Sequence, residues 1–404
     1  MNFNMNWLGF EGVIVTKVEK VEGTIHFHVE CERKPHPCPN CGELTDKVHD
    51  YRIQKVKHLK LFERFTFLFY RRRRYACSCG KKFSENNPFV AKYQRHTIEW
   101  NQAIGIRAIK GKTFKDVAET YGTSPTTVIR RFDKIAATHL TEVDELPEVI
   151  AIDEYKGDTD GGKYQLIIAD GVTKKPLDIL PNRFSKTIEK YLREKGSNVK
   201  IVIMDMSHSF RSAVRRALGS PTIVADRFHF CRYVYWALER VRRRVQKDFH
   251  EYDRKKCKRF KHIFYKPHHK LGQKEKWLLE RYFKLSRELK TAYKIKEAYV
   301  DWFTKAKEGT YSTHKALKEG LYRFYRLIKE KGIPEFFPVI KTFQNWQKEI
   351  LNTFIFGYNN GFLEGINNTT KVLKRNAYGF RRYDRFRKKI LLSHQIKDIG
   401  AFIG

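Results

Sequence analysis

The chain of 404 residues contains no apolar run long enough to span a bilayer, and its start lacks the basic, apolar and small-residue succession of a secretory leader. Those absences argue against a membrane-spanning helix and a cleaved leader, and a soluble, intracellular protein is expected. Acidic residues are in deficit: 45 Asp and Glu face 81 Lys and Arg, a formal net charge of +36. Such an excess makes nucleic acid the leading partner, because phosphates bound by Lys and Arg release their counterions. An anionic membrane surface competes with that reading, and a merely solvated basic exterior needs no partner. Cysteine is sparse and odd in number, seven in all. Four of the seven fall in two close pairs, which does not suit a secreted disulfide framework and fits a reducing compartment. Internal repeats and low-complexity segments are absent too. What is present is length for two or three domains with proper cores, and 14% aromatics, suited both to large cores and to base stacking.

The stretch Glu148 to Ser207 organises the rest. Val149-Ile150-Ala151-Ile152 is short, apolar and mostly β-branched, and runs into Asp153 and Glu154, so Asp153 is expected at the carboxyl end of a strand. Lys163 to Ile168 and Pro176 to Leu180 read as two more strands joined by the turn signal Asp170-Gly171. An amphipathic helix follows, capped by Ser185, with Ile188, Tyr191 and Leu192 on one face and Gly196 as its stop. Val199 to Met204 is a fourth strand, ending on Asp205. If the first and fourth strands lie side by side, Asp153 and Asp205 meet where open α/β sheets place their ligands. Two neighbouring carboxylates without a cation repel each other, and a divalent metal is their most useful counterion. Singly, each aspartate could equally end a strand or cap a helix.

Upstream, Gly12 to Val18 and Gly23 to Glu30 alternate as a hairpin should. Cys38-Pro-Asn-Cys41-Gly and Cys77-Ser-Cys79-Gly then supply two knuckles whose four thiolates can close a tetrahedral structural Zn²⁺ site; free buried cysteines are the alternative. Cys31, Cys231 and Cys257 read as structural. Between the knuckles lie Lys55, Lys57, Lys60 and the run Arg71 to Arg74, either a solvated strand or a phosphate contact. From Thr97 to Thr138 the period is helical: Ile98 to Lys110, a second helix capped by Thr113 and ending near Tyr121-Gly122, and a third opened by Ser124-Pro125. This is the pattern of a helix-turn-helix, with Ala118 at the close approach and Thr126, Thr127, Arg130 and Arg131 presented to the major groove of double-stranded DNA. A plain three-helix packing unit is the alternative.

Acidic Thr141 to Pro147 reads as a linker. Beyond Asp205 come a helix stopped by Gly219 and a fifth strand, Pro221 to Ala225, ending on Asp226-Arg-Phe-His229. Asp226 arrives at the same sheet edge, and His229 could orient a bound water, stabilise a carboxylate, or simply be buried. From Phe230 to about Ile350 strand signals vanish, and aromatics interleave with Lys and Arg on helices. Most of these aromatics should be core. In the last motif, Phe362 to Arg375, helical spacing sets Leu363, Ile366, Thr370 and Leu373 toward the core and Glu364, Asn368, Lys371 and Arg375 on an adjacent stripe. A carboxylate followed by amide and cationic groups suits a metal ligand beside a phosphate; an ordinary exposed glutamate is the alternative.

With these motifs assembled, the chain resembles the ISL-three family of insertion-sequence transposases over nearly its whole length. The paired cysteines, the helix-turn-helix, Ile-Asp153-Glu, Met-Asp205-Met-Ser, Asp226-Arg-Phe-His229, and the Glu364 helix running on to Tyr378-Gly379-Phe380 carry the resemblance. It implies a multidomain α/β chain: an RNase H-like mixed sheet with helices and an all-helical insertion, preceded by a small zinc-binding module and a helix-turn-helix. Expected boundaries are 1–92, 93–140, 141–229, 230–350 and 351–404. The implied catalytic triad is Asp153, Asp205 and Glu364, supported by Asp226, His229, Asn368 and Lys371, with Lys374 and Arg375 on DNA. Asp226 stays open as the alternative second ligand. Two Mg²⁺ (or Mn²⁺) ions held there would serve strand cleavage and strand transfer. Implied partners are terminal inverted repeats, target DNA and a second copy of the chain at least, in the nucleoid-associated cytoplasm of a prokaryotic cell. A catalytically inactive DNA-binding regulator and a structure-selective nuclease without strand transfer are the competing functions.

Overall fold

Alternating apolar residues near the start of the chain build a six-stranded sheet. Its strands are β1 (Phe3–Asn4), β2 (Val13–Val21), β3 (Thr24–Cys31), β6 (Val48–Leu61), β7 (Arg64–Ala76) and β8 (Lys82–Ser84); a separate pair, β4 (His36–Pro37) and β5 (Leu44–Thr45), carries the first knuckle. The structure, a computed structural model, describes residues 3–4, 10 and 12–403, with side chains from Phe10 to Gln395 apart from residue 11. The expected hairpin is β2–β3, closed by Glu22-Gly23, both with positive φ as a tight two-residue turn requires. β3 runs parallel to β7, and β7 antiparallel to β6. One sheet face buries Val13, Val15, Phe27, Val29, Val56, Leu68 and Tyr70 against Phe10, Phe89 and Val90.

The four-arginine run is consumed inside this sheet. Arg73 is nearly buried and donates to Glu85 (3.3 Å), itself 1% exposed, and to Glu30 (2.9 Å). Arg71 pairs with Glu30 and Arg74 with Asp50, each at 2.9 Å, while Arg72 donates to the Glu85 carbonyl at 2.7 Å. Arginines so engaged hold the strand, and Arg71 is the one that stays exposed.

Three helices follow: α1 (Ile98–Lys110), α2 (Phe114–Tyr121) and α3 (Pro125–His139). Thr113 Oγ1 accepts from Asp116 N–H at 2.9 Å and Ser124 Oγ from Thr127 N–H at 3.2 Å, the two expected caps. Gly122 turns the chain at φ +60, and a Cβ there would lie 2.5 Å from the Phe65 ring, so both conformation and space demand glycine.

After α3, β9 (Val149–Thr159), β10 (Gly162–Asp170), β11 (Pro176–Leu180), β12 (Ile201–Met204) and β13 (Thr222–Ala225) form a mixed sheet in the order β11-β10-β9-β12-β13, with α4 (Ser185–Lys195) and α5 (His208–Leu218) between its later strands. β9 is antiparallel to β10, whereas β12 is parallel to both β9 and β13. This is the RNase H-like sheet, with two local departures from expectation. β9 does not stop at Asp153: antiparallel pairing with β10 carries it on to Thr159. Ser185 is the first residue of α4 and not its cap; its hydroxyl meets that of Ser209 at 2.7 Å, and the cap position is Phe184.

The chain then stays helical through α6 (Arg227–Val245), α7 (Glu251–Arg259), α8 (His262–Tyr265), α9 (Gln273–Leu285), α10 (Arg287–Lys307), α11 (His314–Lys331), α12 (Phe337–Asn345) and α13 (Gln347–Ile355). Trp302 and Trp346 are core, as expected of most aromatics here, while Trp236 and Trp277 are exposed. α13 closes against the sheet edge: Asn352 Nδ2 donates to the Ile223 carbonyl (2.8 Å) and Thr353 Oγ1 to the Ala225 carbonyl (2.7 Å). Last come α14 (Gly361–Asn376) and α15 (Tyr383–Ile403).

The chain divides into two compact units. One holds everything up to Thr141 plus Leu373–Gly379 and Asp384–Gly404; the other holds Glu142–Val372 and Phe380–Tyr383. The end of the chain therefore clusters with the N-terminal unit, where an uninterrupted block 351–404 was expected. Within that unit Leu392 enters the helix-turn-helix core, and buried Lys389 donates to the Gly111 carbonyl at 2.9 Å. No helix among the described residues is long and apolar enough to cross a membrane.

Candidate active site and metal centres

Strand register fixes the acidic site. β12 pairs with β9 as Ile201↔Val149 through Ile203↔Ala151, and with β13 as Ile201↔Thr222 through Met204↔Ala225. Continued past the last paired residues, the same offsets put Asp153, Asp205 and Asp226 in one row across three neighbouring parallel strands. Asp226 then starts α6, and one helical turn later His229 comes back over the row. Its Nδ1 is 2.8 Å from Asp226 Oδ2 in a hydrogen bond, and 2.6 Å from Asp205 Oδ1. The short approach to Asp205 lacks hydrogen-bond direction, so Asp205 Oδ1 remains buried with no donor.

The electrostatics follow from this crowding. Burial pushes the Asp153 carboxyl up to about 7, and the negative charge of Asp205 adds to it. Burial opposes the His229 imidazolium, yet the carboxylates of Asp205 and Asp226 against its Nδ1 win and hold it protonated up to about 9. Asp205, Asp226 and His229 offer ligand atoms within 4.8 Å of one another. Asp153 stands outside that group; a buried Asp205 oxygen beside the Asp226 carboxylate is what a hard divalent cation fits.

Asp153 is held from two sides. Its Oδ1 accepts from the Glu154 N–H at 2.8 Å, and its Oδ2 from Asn367 Nδ2 at 2.6 Å. Helical spacing in the sequence points to Asn368, whereas the residue that meets Asp153 is its neighbour Asn367. The available signal is position: Leu363, Ile366, Asn367 and Thr370 form the buried face of α14, and an amide on an apolar face is the informative exception. Glu364 is exposed in the first turn of the same helix and is not a member of the acidic cluster. Residues three apart on a helix are neighbours, about 5–6 Å between Cβ atoms, so Glu364 stands one turn before the amide that touches Asp153. Asn368, Lys371 and Arg375 are exposed, and Lys374 is half-buried. Glu154, beside Asp153, is clasped by Arg183 at 2.6 and 2.7 Å.

The second cluster is sulfur. Cys38, Cys41, Cys77 and Cys79 lie within 4.8 Å of one another, with Cys38 and Cys77 buried. The pairs Cys38–Cys79 and Cys41–Cys77 are 3.6 and 3.5 Å apart. Zinc–sulfur bonds of about 2.3 Å in a tetrahedron set sulfurs about 3.8 Å apart, so the cage fits a structural Zn²⁺. On the recognition helix α3, Thr126 and Arg130 are exposed, Thr127 shares its hydroxyl with Ser124 at 3.0 Å, and Arg131 is half-buried and bound to Gln94. Of the four expected groove contacts, Arg131 is thus turned into the domain.

Comparison with known proteins assigns three stretches of the chain to known domains. The zinc-finger of transposases IS204/IS1001/IS1096/IS1165 matches residues 34–79, the helix-turn-helix domain of transposase family ISL3 matches 85–136, and the family's transposase domain matches 150–390. Over 399 residues, 95% of each chain, the protein is 24% identical to the transposase for insertion sequence element IS1001 of Bordetella parapertussis. It is also 34% identical over 118 residues to a protein of Lactococcus lactis subsp. lactis named as an ATP-dependent protease, covering 29% of this chain and 34% of that one. That match is too short to bear on activity. The transposase match runs through more than half the chain and contains the whole row of aspartates, and by it the chain belongs to the ISL3 family of transposases.

Proposed function

We propose that the chain binds the terminal inverted repeats of its insertion sequence and carries out strand cleavage and strand transfer at a DDE site of Asp153, Asp205 and Glu364. The observation that carries this reading is the shared row of Asp153, Asp205 and Asp226 with a buried, donorless oxygen on Asp205. Asp153 and Asp205 would hold the divalent ions, Mg²⁺ or Mn²⁺, with Glu364 closing the set from α14. When bound, such ions supply Lewis acidity toward the phosphate and the attacking oxygen.

The chain's own groups then have separate tasks. Asn367 orients the Asp153 carboxylate and fixes the turn of α14 that carries Glu364. His229 keeps its Nδ1 proton on Asp226, which leaves Asp205 Oδ1 available. Asn368, Lys371, Lys374 and Arg375 follow Glu364 along the helix toward the DNA backbone. In cleavage, water attacks the phosphorus at the element's end and the bond to the 3′-oxygen breaks, freeing a 3′-hydroxyl. In transfer, that hydroxyl attacks a target phosphodiester in line, and as the new bond to phosphorus forms the target's own bond to its 3′-oxygen breaks, freeing a 3′-hydroxyl on the target strand. The helix-turn-helix reads the repeat through Thr126 and Arg130, the zinc module supports it, and acting on two ends calls for at least a dimer.

The test is Mg²⁺-dependent cutting and joining of a labelled terminal-repeat DNA by wild type, Asp205→Ala, Asp226→Ala and Glu364→Ala. Wild type should cut and join, while Asp205→Ala and Glu364→Ala bind the DNA and do neither. Equal activity of Glu364→Ala and wild type would remove Glu364 from the triad. Binding without cutting by all four proteins would leave the DNA-binding regulator.

A further inference from the structure

The outward face of the N-terminal sheet has the wrong composition for a face that only meets water. Phe65, Phe67 and Phe69 alternate along β7 opposite the buried Thr66, Leu68 and Tyr70, and all three rings stay partly exposed. A solvated face of a sheet ordinarily carries polar residues at these positions. Register places a cation and an imidazole on either side of each central ring: Lys55–Phe69–His28 in one row, Lys57–Phe67–His26 in the next. The rings and charges are in contact. Lys55 Nζ is 4.3 Å from the Phe67 centroid, and Lys57 Nζ 4.8 Å from that of Phe65. His28 stacks on Phe69 at 5.2 Å and 16°, and Arg71 covers Tyr51 at 3.8 Å where the face continues. The acid facing His28 is Glu19, which binds His28 at 2.8 Å and also pairs with Lys17.

Aromatic rings laid between cations are the chemistry that holds single-stranded nucleic acid: every base has a π-face to stack, and the cations track the phosphates between bases. The spacing decides between single strand and duplex. Alternate residues on a strand lie about 6.8 Å apart, twice the repeat of about 3.4 Å along one strand of a duplex. Successive rings therefore suit bases drawn apart, not bases stacked in a helix. We propose that this sheet face binds single-stranded DNA, with bases on Phe67 and Phe69 and Lys55 and Lys57 on the backbone. The site borders the turn of the helix-turn-helix, where Lys57 Nζ donates to the Gly122 carbonyl, and its test uses no cleavage chemistry.

The full chain is titrated, without added divalent metal, into a fluorescein-labelled oligothymidylate of about 12 nucleotides and into an abasic strand of equal length and charge. Wild type should bind the oligothymidylate at least tenfold more tightly. Joint Phe67→Leu and Phe69→Leu, which keeps apolar bulk and removes the π-faces, should lose about tenfold or more. Joint Phe67→Tyr and Phe69→Tyr, which keeps the π-faces, should stay near wild type. Equal affinity of wild type for the abasic strand would mean that phosphate attraction suffices, and would overturn the proposal. Equal behaviour of the leucine and tyrosine variants, whether both bind or both fail, would overturn it as well.

Discussion

Asn367→Leu isolates the contribution of α14 to the acidic site. The amide it removes donates to Asp153 Oδ2 at 2.6 Å in a partly buried setting. Hydrogen bonds to charged groups contribute about 1.5–3 kcal/mol, which converts to about 10- to 150-fold in an equilibrium constant at 1.4 kcal/mol per tenfold. Loss of a group that orients a metal ligand typically costs about 10- to 100-fold in metal affinity, so the two estimates agree. Leucine keeps the branched four-heavy-atom shape of asparagine while removing the donor, and it also removes Asn367 Oδ1, which is buried without a partner. The assay is the Mg²⁺ dependence of end cleavage at fixed pH. Half-saturating Mg²⁺ should rise tenfold or more, with the rate recovering toward wild type at saturation. A curve superimposable on wild type would refute the reasoning, because the Asp153 carboxylate would then need no orientation from α14.

Three further outcomes are expected. Cys77→Ser should release the structural zinc and speed hydrogen exchange across β6 and β7, read by metal stoichiometry and mass spectrometry; retention of one zinc per chain would contradict the four-sulfur cage. Arg130→Ala should weaken duplex binding and lower the slope of log affinity against log salt by about one, whereas Arg131→Ala should act mainly on stability, since Arg131 is spent on Gln94; anisotropy across a salt series separates them. Burial draws the Lys389 amine down to about 8, so the unfolded chain holds more protons between that pH and its ordinary value of about 10.4. The stability of wild type relative to Lys389→Met should therefore be highest above the ordinary value and fall as pH drops toward 8, by up to about 3 kcal/mol, measured by denaturant unfolding.

The elements that could be read from sequence are those whose signal is local. A short β-branched run ending on aspartate announced β9, β12 and β13, and Thr113, Gly122 and Ser124 each carried the chemistry of a cap or a turn. What could not be read depends on partners far along the chain. β9 runs past its aspartate because β10 pairs with it for its whole length. The arginine run looked like a phosphate site because Glu30, Asp50 and Glu85, which neutralise it, are distant in sequence. Asn367 and Asn368 are chemically identical, and one residue of helical phase, set by packing, decides which of them meets Asp153. Glu364 was legible as part of an exposed stripe, and the structure keeps it there.

The closure of α13 over β13 has a consequence for assembly. An edge strand invites another chain to extend the sheet through its free carbonyls and amides. Here two outward carbonyls of β13 are already occupied by the side chains of Asn352 and Thr353. Side-chain donors satisfy the edge without offering a backbone ladder in return, so the sheet has no template for a sixth strand at that border. A second copy of the chain therefore finds no backbone ladder to extend at that border, and any contact between copies there would have to be made by side-chain surfaces.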